Sequence, residues 1–268
     1  RVTRKTYITN IIITFMLTLE DINNHVYFLW RKTQVEAMKT PRLGTIHVSD
    51  VIKPCMRYTI YKKISPEGGM STEDLKSLYF GQLVHAHSQF ADTEHHEKFL
   101  GYDYVEDKPV DLKLAQSLSK DDPKHLDIIY GSIDDLIKVK DQWVIVDKKT
   151  TGSIGYFQKY NSKVSDQHKL QINVYGALLK KCYGIEATRG CVMYISNQVD
   201  KETRDRPVAL SFKLENPEKV LAETIAKAKI IKDAIVNKTL PERTKCFLCD
   251  GMCPFATTCF EDNRKKYE

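Results

Sequence analysis

The chain has little of what marks the non-globular classes. Twelve glycines and nine prolines among 268 residues are too few for a low-complexity or collagen-like protein. Neither sign of charge dominates. Forty-one Lys and Arg against 35 Asp and Glu leave a formal net charge of +6, far from the density of a histone-like binder. That excess suits an anionic partner such as nucleic acid without requiring one. No apolar run is long enough to span a bilayer. Ile11 to Leu17 follows the basic Arg1–Lys5 stretch as an h-region follows an n-region, but no small-x-small cleavage site comes after it. The plainer reading makes Met16 the true start and residues 1–15 upstream read-through or a tag remnant. A soluble, cytoplasmic protein with no membrane partner is therefore expected. No Pro/Gly/Ser linker and no internal repeat divides the chain, which predicts one integrated domain.

What is present is an ordinary globular composition, 42% hydrophobic and 28% charged, with an uneven distribution of cysteine. Four of the seven cysteines, Cys246, Cys249, Cys253 and Cys259, fall within fourteen residues. In an intracellular chain of this size such clustering points to metal or iron–sulfur ligation rather than to a disulfide framework. Cys182 and Cys191 lie in apolar contexts that read as ordinary packing.

The periodicity predicts helices over 20–38, 49–63 (carrying Cys55 behind Pro54), 71–97, 166–182 and 217–237. It predicts strands over 99–106, 127–139, 142–149, 189–196 and 208–214. The order describes an α/β domain with a small mixed sheet flanked by helices. Three segments follow: an N-terminal helical part (1–70) contributing Cys55, a core (71–215), and a C-terminal helix with a Cys-rich tail (216–268).

Chemistry concentrates in the middle. In a strand, residues two apart share a face, so Asp147 and Lys149 project together while Lys148 points away. With Lys140-Asp141 as a two-residue hairpin turn, Asp134 stands opposite Asp147. Two facing carboxylates repel unless neutralised by Lys149 or by a divalent metal such as Mg²⁺ or Mn²⁺. The plain alternative is a turn Asp and a solvated strand end. Within the 71–97 helix, Gly81 lies one turn before His85 and leaves room beside it; a histidine ligand would favour Mn²⁺, whereas a packed or solvated histidine is the bland reading. Gln171 and Tyr175 stack at i, i+4 on the following helix. Between strand and helix, Tyr156, Phe157, Lys159, Tyr160 and Lys163 interleave aromatics with cations, which can stack on bases and hold phosphates or can simply form a polar loop.

His85, then Gly131-x-x-Asp134, then Asp147-x-Lys149, then Gln171-x-x-x-Tyr175, in this order, resembles the RecB-like branch of the PD-(D/E)xK nucleases. Val51-Ile52-Lys53-Pro54-Cys55-Met56-Arg57-Tyr58 looks like the upstream Cys motif of the iron–sulfur members, and Cys253 to Cys259 looks like their tail. In layout the best match is the CRISPR-associated RecB-like exonucleases, the fourth family in the Cas numbering.

The resemblance implies a restriction-endonuclease-like core whose N-terminal helices and tail are joined by a metal cluster. It implies that His85, Asp134 and Asp147 ligate a catalytic Mn²⁺ or Mg²⁺ ion, that Lys149 positions or activates water, and that Gln171 and Tyr175 orient the nucleic acid and Lys149. It also implies a four-iron–four-sulfur cluster. The family tail usually offers three cysteines, whereas this chain offers four. Cys55, Cys249, Cys253 and Cys259 are the favoured ligands, with Cys246 as the alternative to Cys249. A zinc ion held by the four tail cysteines is the rival.

The function expected from the resemblance is exonucleolytic cleavage of single-stranded DNA during processing of CRISPR spacer precursors, beside the adaptation integrase. A stand-alone or virus-encoded repair or recombination nuclease is one alternative. A non-catalytic DNA-binding module with structural zinc is another.

Overall fold

The computed structural model describes residues 45–64, 81, 96–118, 122–151, 163–196, 207–246, 249–250 and 253–265. Leu43–Glu268 form one compact unit and Arg1–Arg42 another, and every described residue belongs to the first. The helix expected over 20–38 lies outside the described residues, as does most of that over 71–97.

In chain order the described elements are β1 (Ile46–His47), α1 (Val48–Val51), α2 (Met56–Ile64), β2 (His96–Asp103), β3 (Lys108–Pro109) and α3 (Leu112–Ser117). A 3₁₀ turn (Pro123–Asp127) leads into β4 (Ile128–Val139) and β5 (Gln142–Thr151). Then come α4 (Asp166–Tyr183), β6 (Ala187–Ser196), β7 (Val208–Lys213), α5 (Pro217–Val236) and α6 (Ala256–Lys265). The strands make one mixed sheet in the order β3-β2-β4-β5-β6-β7, with β1 added parallel to β4. Neighbours β2/β4, β4/β5 and β6/β7 are antiparallel. Strands β5 and β6 run parallel, which requires a crossover, and α4 is that crossover.

Local chemistry explains the boundaries. Lys140 and Asp141 both take left-handed conformations, φ 46° and 63°, as a two-residue turn matched to strand twist demands. Helix α4 opens where Ser165 Oγ accepts the His168 N–H at 3.2 Å. It closes at Gly184, whose φ of +65° lets its N–H reach the Lys180 carbonyl. The buried stripe of α4 includes Ile172, Val174, Leu178 and Leu179. A Cβ added to Gly176 would lie 3.7 Å from Ile145 Cδ1, so the Ile145 face of β5 is the one beneath α4. Helix α5, begun by the Asn216 cap and Pro217, buries Val220, Ala228 and Ile231 in the same core.

Several expectations need correction. The helix expected over 49–63 is two helices, because Pro54 supplies no N–H and disfavours helical geometry at Lys53. The helix expected to reach Glu97 does not, since His96 already opens β2 and pairs with Asp135. Pairing with β4 outweighs helical periodicity there. That strand ends at Asp103 rather than 106, because Asp103 Oδ1 accepts the Val105 and Glu106 N–H groups and bends the chain. The sheet is also larger than expected. Its two-residue strands β1 and β3 are too short to leave a pattern, and the short helix α3 was not expected either.

On the side of β5 away from Ile145, Lys148 is 1% exposed and ion-paired with Asp135, which is fully buried. Replacing one member of such a pair strands the other charge in the core. Lys148→Met is expected to lower unfolding free energy by about 3–5 kcal/mol. Lys148→Met combined with Asp135→Leu should recover most of that loss. Urea denaturation checks both, and a single variant as stable as the wild type would refute the pairing's role.

Candidate active site

The β4–β5 register runs from Val139–Gln142 to Asp135–Val146, which brings Asp134 and Asp147 to adjacent positions at the next step. Asp134 Oδ2 accepts the Lys148 backbone N–H at 2.7 Å, so its carboxylate is fixed against β5. Asp147 is 1% exposed and its Oδ2 lies 2.7 Å from Lys149 Nζ. The lysine side chain keeps 24% of its surface open. Strand parity thus separates the two lysines as expected: Lys149 joins Asp147 under α4, and Lys148 turns to Asp135 on the far side.

Helix α4 closes the other wall. Gln171 Nε2 donates to Tyr175 Oη at 2.8 Å. Burial pushes the Tyr175 phenol well above its ordinary value, and the charges of Asp147 and Asp134 push it further. Gly131 serves this contact: a Cβ there would sit 2.7 Å from Tyr175 Cε1 and displace the ring.

Two residues of this wall escaped the sequence. His168 Nδ1 lies 3.0 Å from Tyr194 Oη, with the proton carried by one or the other. Its pKa is pushed down to about 4, first by burial and then by the Lys149 charge. The signal for His168 was present, because 168, 171 and 175 follow i, i+3, i+7 on one helix face. Tyr194 carried none, because its place beside Lys149 comes from the parallel β5–β6 register.

Of the remaining candidates, His85, Tyr156, Phe157, Lys159 and Tyr160 lie outside the described residues. Lys163 is exposed, two residues before the α4 cap.

A second constellation lies at the other end of the chain. Cys55, Cys246, Cys249, Cys253 and Cys259 all line one cavity, with Arg57 and Arg243. Burial raises the Cys253 thiol, and the neighbouring Cys55, Cys249 and Cys259 add to the shift. The Cys246 and Cys249 sulfurs are 3.9 Å apart. Arg57, 3% exposed, donates to the Pro241 carbonyl at 2.7 Å and to Cys259 Sγ at 3.6 Å. Tyr61 Oη donates to Asp262 at 2.6 Å, and its ring stacks on Phe255. These contacts bind α2 to α6. By contrast Cys182 donates to the Gly101 carbonyl at 3.1 Å, its thiol raised to about 11 by burial, and Cys191 is likewise raised by burial. Among the described residues, no group of three or more His, Cys, Asp or Glu side chains is arranged to hold a single metal ion.

The family model described as the PD-(D/E)XK nuclease superfamily matches residues 84–260, more than half of the chain. The chain belongs to that superfamily. No curated protein matches the sequence. Among solved structures it is similar to SSO0001, at 17% identity and TM-score 0.49, covering 87% of this chain and 95% of that one. It is also similar to an alkaline exonuclease from Laribacter hongkongensis (10% identity, TM-score 0.39, covering 74% and 90%). A third similar structure is a putative exonuclease from Eubacterium rectale (11% identity, TM-score 0.41, covering 88% and 98%).

For a PD-(D/E)XK nuclease, Asp134 and Asp147 are the donors that fit a hard divalent ion such as Mg²⁺ or Mn²⁺, which prefers carboxylate oxygen. Among the described residues, no helix is long and apolar enough to cross a membrane.

The neutral state of His168 has a consequence for stability. An unfolded histidine titrates near 6.5, so between about 6.5 and about 4 the unfolded chain holds a proton that the folded chain refuses. Stability should therefore fall as pH drops through that window and be insensitive to this group above it. NMR titration of the His168 ring is expected to give a midpoint near 4. His168→Gln should flatten the acid loss of thermal stability, and a midpoint near 6.5 would contradict the assignment.

Proposed function

We propose that this PD-(D/E)XK nuclease is a metal-dependent exonuclease acting on single-stranded DNA. The observation that carries the reading is the Asp147–Lys149 ion pair, 2.7 Å apart beneath α4, with Asp134 held beside it on β4. His85, Asp134 and Asp147 would hold Mn²⁺ or Mg²⁺, which when bound polarises the scissile phosphate and lowers the pKa of an attacking water. Lys149, partly open and held by Asp147, swings toward an incoming phosphate and stabilises charge developing on its oxygens. Tyr175 stays protonated, and because Gln171 donates to its oxygen, the phenol proton is directed away from Gln171. Neutral His168 adds no charge that would compete with Lys149. Tyr156, Phe157, Lys159, Tyr160 and Lys163 are assigned to the passing strand, by base stacking and phosphate contacts.

The thiol cavity is assigned to a four-iron–four-sulfur cluster. Four thiolates are the usual ligand set, and Cys55, Cys249, Cys253 and Cys259 are the set proposed. A lone zinc ion needs all four sulfurs about 2.3 Å from one point. A cluster instead interposes its own iron and sulfide between thiolates, which suits sulfurs that share a cavity without meeting at one point. Its role is to staple α2 to α6, closing a loop of roughly 190 residues. Processing of CRISPR spacer precursors beside the adaptation integrase is the proposed setting, and it rests on the motif resemblance alone. Neighbouring genes separate it from a stand-alone or virus-encoded role.

Anaerobically purified protein with Mn²⁺ should degrade end-labelled single-stranded DNA, and Lys149→Ala should lose roughly 10²–10³-fold in rate. Equal rates in both proteins would show the site misplaced, and faster degradation of RNA or duplex would overturn the substrate. Cys55→Ala should lose iron and melt at lower temperature. Unchanged iron content and melting would remove Cys55 from the ligand set.

A further inference from the structure

The cavity between α2 and α6 holds five thiols, one more than a four-iron cluster uses. The surplus is not scattered. Cys253 has Cys55, Cys249 and Cys259 as its interacting thiol neighbours, and these four make up the proposed ligand set. Cys246 lines the same cavity, and its sulfur lies 3.9 Å from that of Cys249. The Cys249 N–H donates to the Cys246 carbonyl at 2.9 Å. The segment lies between α5 and α6, outside both helices. A disulfide needs its sulfurs about 2.05 Å apart, so closure asks for a local movement of roughly 2 Å and no rearrangement of the sheet.

We propose that Cys246 and Cys249 form an oxidisable dithiol whose disulfide withdraws Cys249 from the cluster-ligand set. The step uses a peroxide. One thiolate attacks a peroxide oxygen of H₂O₂, becoming a sulfenic acid as the O–O bond breaks and the leaving hydroxide takes up a proton. The second thiol then attacks the sulfenic sulfur and expels water, forming the S–S bond. In sum, two thiols and one H₂O₂ give one disulfide and two waters, with two electrons passing from sulfur to oxygen. The oxidised chain retains Cys55, Cys253 and Cys259, one short of a four-thiolate set, so it accepts a cluster only after reduction. This consequence rests on the iron–sulfur reading, whereas the dithiol itself does not.

The test uses full-length apoprotein, reduced and then treated with H₂O₂. Disulfides are mapped by mass spectrometry after alkylation. Iron uptake is measured from ferrous iron and stoichiometric sulfide, with and without a phosphine reductant. The expected result is a Cys246–Cys249 disulfide with iron uptake lowered several-fold and restored by the phosphine. Cys246→Ser should form no such disulfide and should load iron equally before and after peroxide. No disulfide, or one joining another pair, would overturn the proposal. Loss of iron binding in reduced Cys246→Ser to the level of Cys249→Ser would overturn it too, by making Cys246 a ligand. If reduced wild type takes up no iron while the Cys246–Cys249 disulfide still maps, the dithiol stands and the cluster reading fails.

Discussion

A buried ammonium cannot stay in a protein core without a carboxylate beside it, and Lys148 with Asp135 meets that demand near the middle of the sheet. The pair does more than satisfy two charges. Sliding β5 by one residue against β4 would turn Lys148 toward α4 and send Lys149 and Asp147 to the opposite face. The buried pair therefore holds the register, and the register sets Asp134 beside Asp147 with Lys149 in reach. The placement of the acidic pair follows from a constraint satisfied on the other side of the strand.

Helix α4 imposes the second condition. It crosses from β5 to β6 and lays His168, Gln171 and Tyr175 along one wall. Burial there acts on both titratable groups in the direction that removes charge: the histidine stays neutral and the phenol stays protonated. Among the described residues, Asp147 and Asp134 act on the phenol and Lys149 on the imidazole.

Much of this was legible because it follows from short periods. Alternation in 142–149 separated Lys149 from Lys148, and the turn at Lys140-Asp141 set the hairpin register. Long-range terms were not legible. The Lys148–Asp135 pair reads in the sequence as two surface charges, since nothing local says that this face is covered. Tyr194 reaches the site through a parallel pairing whose register the α4 crossover determines. His168 shares a helix face with Gln171 and Tyr175, a relation that the i, i+3, i+7 spacing alone makes legible. Glu97 was read as helical because its strand partner lies on β4, far along the chain.

Arg57 sharpens the electrostatics at the thiol cavity. It is 3% exposed, and among the described residues its partners are the Pro241 and Cys259 carbonyls and the Cys259 sulfur, with no carboxylate in an ion pair. A guanidinium keeps its proton under any condition a protein meets, so it cannot escape burial by neutralising. Carbonyl dipoles satisfy some of its N–H groups without supplying a full negative charge. Neutral thiols add nothing to that balance. A second arginine, Arg243, lines the same cavity and lies over the Phe260 ring at 3.7 Å. The thiols respond unequally: Cys249 is lowered, first by its hydrogen bond with Cys246 and further by Arg243, whereas burial raises Cys253.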